Sequence, residues 1–150
     1  MKKSLKIMLI LSLVLHISCG TKKESQTPVV NGDRKEQYPQ AIIGEFSKSN
    51  DPYKIKSIKL ERNYVIIEVT YSGGCEVHDF QLIGSKFLSK SIPAIRNVQL
   101  VHNKKNDSCK KLVTEKLKFS ISVLAQNYEP GNKVELLFDN YPDKIPYSYE

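Results

Sequence analysis

The chain has 150 residues, of which 40% are hydrophobic and 26% charged, with 7 Gly, 7 Pro and a formal net charge of +7. That balance fits one globular domain of ordinary size. It excludes a collagen, a coiled coil, a multi-pass membrane protein, a wholly disordered chain and a multidomain enzyme.

The first eighteen residues have the order of an export signal. Lys2, Lys3 and Lys6 form a basic start, and Ile7 to Leu15 form an apolar run. That run is shorter than the about 20 residues a membrane span needs. It is followed by His16-Ile17-Ser18-Cys19-Gly20. A small residue just before a Cys, directly after such a run, resembles the lipobox of bacterial lipoproteins. The resemblance implies cleavage before Cys19, lipidation of its thiol, and a place in the cell envelope. Gly20 in place of Asp points to the outer membrane, facing the periplasm. The competing reading is a plain secretory signal with an unrelated Cys. Acyl chains contribute about 0.8 kcal/mol per buried methylene, so two or three of them hold a protein firmly. Cleavage would remove three Lys and no acid, lowering the net charge from +7 to +4 over 132 residues.

Residues 19–40 are polar and unpatterned, as expected of a tether. From 41 to 150 the pattern is that of strands. Ile58 and Leu60 alternate with polar neighbours, and Val65, Ile67, Val69 and Tyr71 share one face. His78, Phe80 and Leu82 form a second face, and Val98, Leu100 and His102 a third. Leu117, Phe119, Ile121 and Val123 predict a strand over 116–123, although Val113, Leu117, Ile121 and Leu124 also fit one side of a helix. Val134, Leu136 and Phe138 complete the set. Turn signals separate them at Ser49–Pro52, Ser72–Gly74, Asn103–Ser108 and Glu129–Asn132. The expectation is an all-β fold: a small antiparallel β-sandwich, immunoglobulin-like, of six or seven strands. Tyr141, Tyr147 and Tyr149, near Pro142 and Pro146, read as a loosely packed tail.

Chemistry-bearing residues gather in three places: Ser72 to Phe80, His102, and Asn106 to Cys109. Parity puts His78 and His102 on faces whose other members are apolar, each at the end of a strand next to a Cys-bearing loop. If those two strands are neighbours, Cys75, His78, His102 and Cys109 meet at one end of the sandwich.

The pattern SGGCxxHxF, followed by a His and then DxC, resembles a group of uncharacterised bacterial lipoproteins and secreted domains. It is carried by Ser72, Gly73, Gly74, Cys75, His78, Phe80, His102, Asp107 and Cys109. The resemblance implies that this corner matters for fold or function, and brings no activity with it.

Two readings compete at the corner. With Cys19 lipidated, Cys75 and Cys109 remain in an oxidising compartment and would form a disulfide. The loop entropy model assigns that bridge about 3–4 kcal/mol. The alternative is a zinc or copper site built from Cys75, His78, His102 and Cys109. No catalytic residues are assigned. A Cys75–His78 pair would need an orienting acid such as Asp79 or Asp107, and neither Ser72 nor Ser85 has a nucleophile-elbow context. The sequence therefore points to a lipid-anchored, non-enzymatic structural or binding module without a cofactor. Its partner would be an envelope protein or cell-wall component. Nucleic acid is not expected, because no basic stripe interleaved with aromatics is present.

Overall fold

The computed structural model describes residues 37–150. The segment read as a signal peptide, Cys19, and the segment read as a tether as far as residue 36 lie outside the described residues. Eight strands run in the order β1 (Ile42–Gly44), β2 (Tyr53–Glu61), β3 (Tyr64–Gly73), β4 (Asp79–Leu88), β5 (Ala94–Asn103), β6 (Lys111–Ser120), β7 (Lys133–Phe138) and β8 (Lys144–Ser148). One sheet has the order β1-β4-β5-β7-β8, the other β2-β3-β6. This is the expected two-sheet sandwich, with more strands than the six or seven anticipated.

The sandwich is not wholly antiparallel as expected. β1 lies parallel to β4, and β5 parallel to β7. Parallel neighbours need a crossover, and the chain makes both by passing through the three-stranded sheet. The two unforeseen strands, β1 and β8, are the edges of the larger sheet. Tyr141 to Tyr149 is thus no loose tail. Lys144–Ser148 pairs with β7, Pro146 is tolerated because it sits on an edge strand, and Tyr147 is buried with its hydroxyl donating to Asn63 Oδ1 at 2.7 Å.

The core lies between the sheets. Ile55, Val65, Ile67, Val69 and Phe119 from the smaller sheet meet Leu82, Val98, Leu100, Val134 and Leu136 from the larger. Ile55 and Ile58 are three apart, yet both are buried, because a register shift lies between Ile55 and Ser57. The segment read as 116–123 is a strand from Lys111 to Ser120, followed by a 3-10 turn at Ser122–Leu124. It starts earlier than the apolar alternation because β3 offers backbone partners up to Gly73, even opposite the exposed Leu112. It stops at Ser120 because the Ile121 N–H turns to Asn63 O and the Leu124 N–H to Ile121 O.

Candidate functional site

β4 and β5 are adjacent, and Phe80 stands opposite His102. This brings the end of β5 beside the loop that precedes β4. Cys75 and Cys109 are joined in a disulfide, the pairing favoured from sequence, with Cα atoms 5.9 Å apart. Beneath the bridge, His78 (7% exposed), His102 (2%) and Asp107 (4%) are buried.

Local sequence explains how Asp107 is presented. Lys105 and Asn106 both take positive φ, at 50° and 64°, and the Asp107 N–H closes the turn on Lys104 O at 2.9 Å. The Lys105 N–H donates to Asn103 Oδ1 at 2.9 Å, which supports this left-handed turn. Asp107 then folds over its own backbone: Oδ1 accepts the Cys109 N–H at 2.8 Å, an Asx turn. Its Oδ2 accepts the N–H groups of Cys75 and Glu76 at 3.0 and 3.1 Å, and lies 3.1 Å from His78 Nε2. One carboxylate thus organises both loops that the disulfide ties together. Gly73 is required by this crowding, since a Cβ there would sit 2.5 Å from His78 Cε1 and 3.0 Å from Asp107 Oδ2. Gly74 supplies the positive φ of 104° for the turn into Cys75.

The two imidazoles are in direct contact. His78 Nδ1 is 2.7 Å from His102 Nε2, and His102 Nδ1 is 3.3 Å from Asp51 O. His78 Nε2 faces a carboxylate and must carry a hydrogen to bond it; His102 Nδ1 faces a carbonyl and must do the same. The contact between the rings then needs a further hydrogen. Three hydrogens on two imidazoles would make the pair a cation, which the downward push of burial on His102 opposes. With only two hydrogens one contact is given up, and the longest is the one to Asp51 O.

Aromatic rings enclose the pair. Tyr71 lies 4.5 Å from His78 and 5.0 Å from His102, and Phe80 stacks on His102 at 4.6 Å. The Tyr71 hydroxyl donates to Glu115 Oε2 at 2.6 Å. Burial first, and then the bond to Glu115 and its charge, push this phenol up to about 12. The Cys109 N–H above all, with those of Glu76 and Cys75 and the His78 ring, holds the Asp107 carboxyl well below the usual carboxylate range against the opposing effect of burial. Burial is the main cause that pushes His102 down from its ordinary value.

The four residues considered as a metal set are therefore close, but arranged otherwise. The sulfurs are bonded to each other, and the imidazoles to each other, to Asp107 and to Asp51. Among the described residues, metal-ligand atoms do cluster at Cys75, Asp107 and Cys109, where both sulfurs belong to the bridge. A recess of about 240 Å³ lies over the corner, lined by residues that include Ser72, His102, Lys104, Asp107 and Lys110.

Sequence reasoning missed several members of the site. Asn50 and Asp51 read only as a turn. In the fold they dock on the end of β5: the Asp51 N–H donates to His102 O at 3.0 Å, and Asn50 Oδ1 accepts the His102 N–H at 2.8 Å. Tyr71 read only as a core residue. Arg96 was missed altogether, although extending the face of His102, Leu100 and Val98 by two residues reaches it. It is buried, with Nε donating to Leu124 O at 2.8 Å and Nη1 to Ser85 O at 2.6 Å.

The fold and the corner define a disulfide-closed β-sandwich domain in which two buried histidines and a buried aspartate bond one another. More narrowly, the model of the NigD-like C-terminal beta sandwich domain matches residues 38–149, and the chain belongs to that family. Among solved structures, the chain is similar to a NigD-like immunity protein from Bacteroides caccae, with a TM-score of 0.53 and 21% identity over 73% of this chain and 57% of that one. It is also similar to a protein of unknown function from Bacteroides vulgatus, with a TM-score of 0.49 and 16% identity over 75% and 57%. The chain thus spans less than two thirds of the length of either. No curated protein matches.

Proposed function

We propose that this chain is a lipid-anchored protein of the bacterial envelope whose sandwich is a non-enzymatic binding module of the immunity type. In this reading it occupies a surface of a protein toxin rather than transforming a substrate. The observation that carries it is the NigD-like domain over residues 38–149. Support comes from a relative of the same fold described as an immunity protein, and from the basic start, apolar run and Ser18-Cys19-Gly20 of the sequence. The corner fits a structural role, because both nitrogens of each imidazole face protein groups and both sulfurs are bonded.

Two measurements test the proposal. Cells making the full chain are fed an alkynyl fatty acid; label and membrane fractionation should both be lost on Cys19→Ser. Cross-linking of the lipidated chain in its native envelope should capture a discrete protein partner, and His78→Gln should spare that capture if the domain still folds. A catalysed turnover abolished by His78→Gln in a folded domain would refute the binding-module reading.

A further inference from the structure

The end of β4 and its connection to β5 combine exposed apolar side chains, Phe87 in the strand and Ile92 in the turn, with a rigid frame. Phe87 is 83% exposed and Ile92 completely so. Exposed apolar residues on a floppy loop would be unremarkable, but this loop is tied down from within. The Ser89 N–H donates to Ile95 O at 2.9 Å, and the Ile95 N–H returns to Ser89 Oγ at 2.7 Å. Ser91 Oγ donates to Pro93 O at 2.9 Å and lies 2.6 Å from Ser89 Oγ. The serines spend their polar atoms inward, and the apolar side chains are left pointing out.

The surroundings identify what this tip suits. A cleft of about 560 Å³ beside Ile92 is lined by residues that include Lys90 and Lys133, with no Asp or Glu among them. Lys86, next to Phe87 in sequence, is engaged with Glu45 Oε1 at 2.9 Å and is not part of this set. An exposed aromatic side chain near the end of β4 and an exposed aliphatic one in the turn that follows, the latter beside the ammonium groups of Lys90 and Lys133, suit the chemistry of an anionic bilayer surface. The rings and methyls enter the acyl boundary while the lysines stay among the phosphates. The chain between Cys19 and the first described residue is long enough to allow this. Its 17 residues span up to about 60 Å when extended, more than the about 35 Å breadth of a domain of this size.

We infer that the β4–β5 tip is a second membrane contact, in which Phe87 and Ile92 insert into an anionic bilayer and Lys90 and Lys133 meet its headgroups. The inference rests on the anchored reading above, and the test separates the two. The chain contains no Trp, so Phe87→Trp places a single indole at the tip. The lipidated full chain with this change is added to phosphatidylcholine vesicles with and without phosphatidylglycerol. The expected result is a shift of emission to shorter wavelength, larger with phosphatidylglycerol, and quenching by lipids brominated in the acyl chains. Adding Ile92→Asp should reverse both.

A chain that sediments with vesicles while its indole stays in water would overturn the tip and leave the anchor. A blue shift without bromine quenching would also overturn it, since the tip would then be meeting protein. Sedimentation lost on Ile92→Asp but kept on Cys19→Ser would support the tip and refute the anchor. A chain that never sediments would refute both.

Discussion

The two ends of the β4–β5 hairpin handle buried charge in different ways. Where β5 ends, Asp107 is a buried anion that accepts three backbone N–H groups and faces an imidazole. Where β5 begins, Arg96 is a buried cation whose hydrogen bonds go to backbone carbonyls of Leu124, Ser85 and Ala125. The first end draws its donors from two loops that are otherwise separate, so it needs a covalent bridge and a glycine to hold them. The second needs neither, because a guanidinium spreads its donors in a fixed fork and can bind strand, turn and loop carbonyls at once. One end is closed by a disulfide, and the other carries the exposed tip of Phe87 and Ile92. Buried charge is tolerated at both because it is fully bonded; an unpaired one would be severely destabilising.

Four variants sharpen that contrast. Asp107→Ala should cause the largest loss of stability, because it strands the N–H groups of Cys75, Glu76 and Cys109 together with the His78 ring. The urea midpoint should fall further than for any other single change at the corner. Acid should reproduce part of this loss. Asp107 and His102 both have depressed values in the fold, so each contributes stability that is present above its unfolded value and lost as pH falls. The decline should begin below about 6.5 through His102 and deepen below about 4 through Asp107. Unfolding midpoints measured across pH should show both stages in the wild type, and Asp107→Ala should flatten the lower one.

Opening the bridge comes next. Cys75→Ala with Cys109→Ala should cost about 3–4 kcal/mol through the freedom returned to the unfolded chain, read from chemical denaturation. At the other end, Arg96→Met keeps the length of the side chain but leaves three carbonyls short of a donor, at a cost of about 2–3 kcal/mol. The loss should be independent of pH between 4 and 7, unlike that of the corner. The smallest effect is expected from Tyr71→Phe. It removes only the hydroxyl bond to Glu115, about 1 kcal/mol, and removes one of the two phenol titrations near 12 in the ultraviolet spectrum, leaving that of Tyr147.

Much of the fold was legible because its central strands bury one face. Val65, Ile67 and Val69 alternate cleanly, as do Val98 and Leu100, and a period of two admits few other arrangements. The edge strands were not legible. Ile42–Gly44 is only three residues long, and Lys144–Ser148 holds a proline between two tyrosines. Their pairing comes from an existing neighbour rather than from their own pattern. The same holds for the early start of β6, where β3 supplies the hydrogen bonds. Ile55 escaped detection because a bulge breaks the parity that would have marked it.

At the corner, the sequence by itself determined the cast: two cysteines with turn-forming neighbours, two histidines on apolar faces, and an Asp two residues before Cys109. It also determined that His78 and His102 lie at strand ends, since parity along a strand is a local property. Only the tertiary structure decided what these residues do to one another. The order of strands put β4 beside β5, and the hydrogen bonds from both loops made Asp107 the centre. The contact between His78 and His102, the docking of Asn50 and Asp51, and the burial of Arg96 all join residues distant in the chain. Such contacts depend on which elements become neighbours, and no local pattern specifies that.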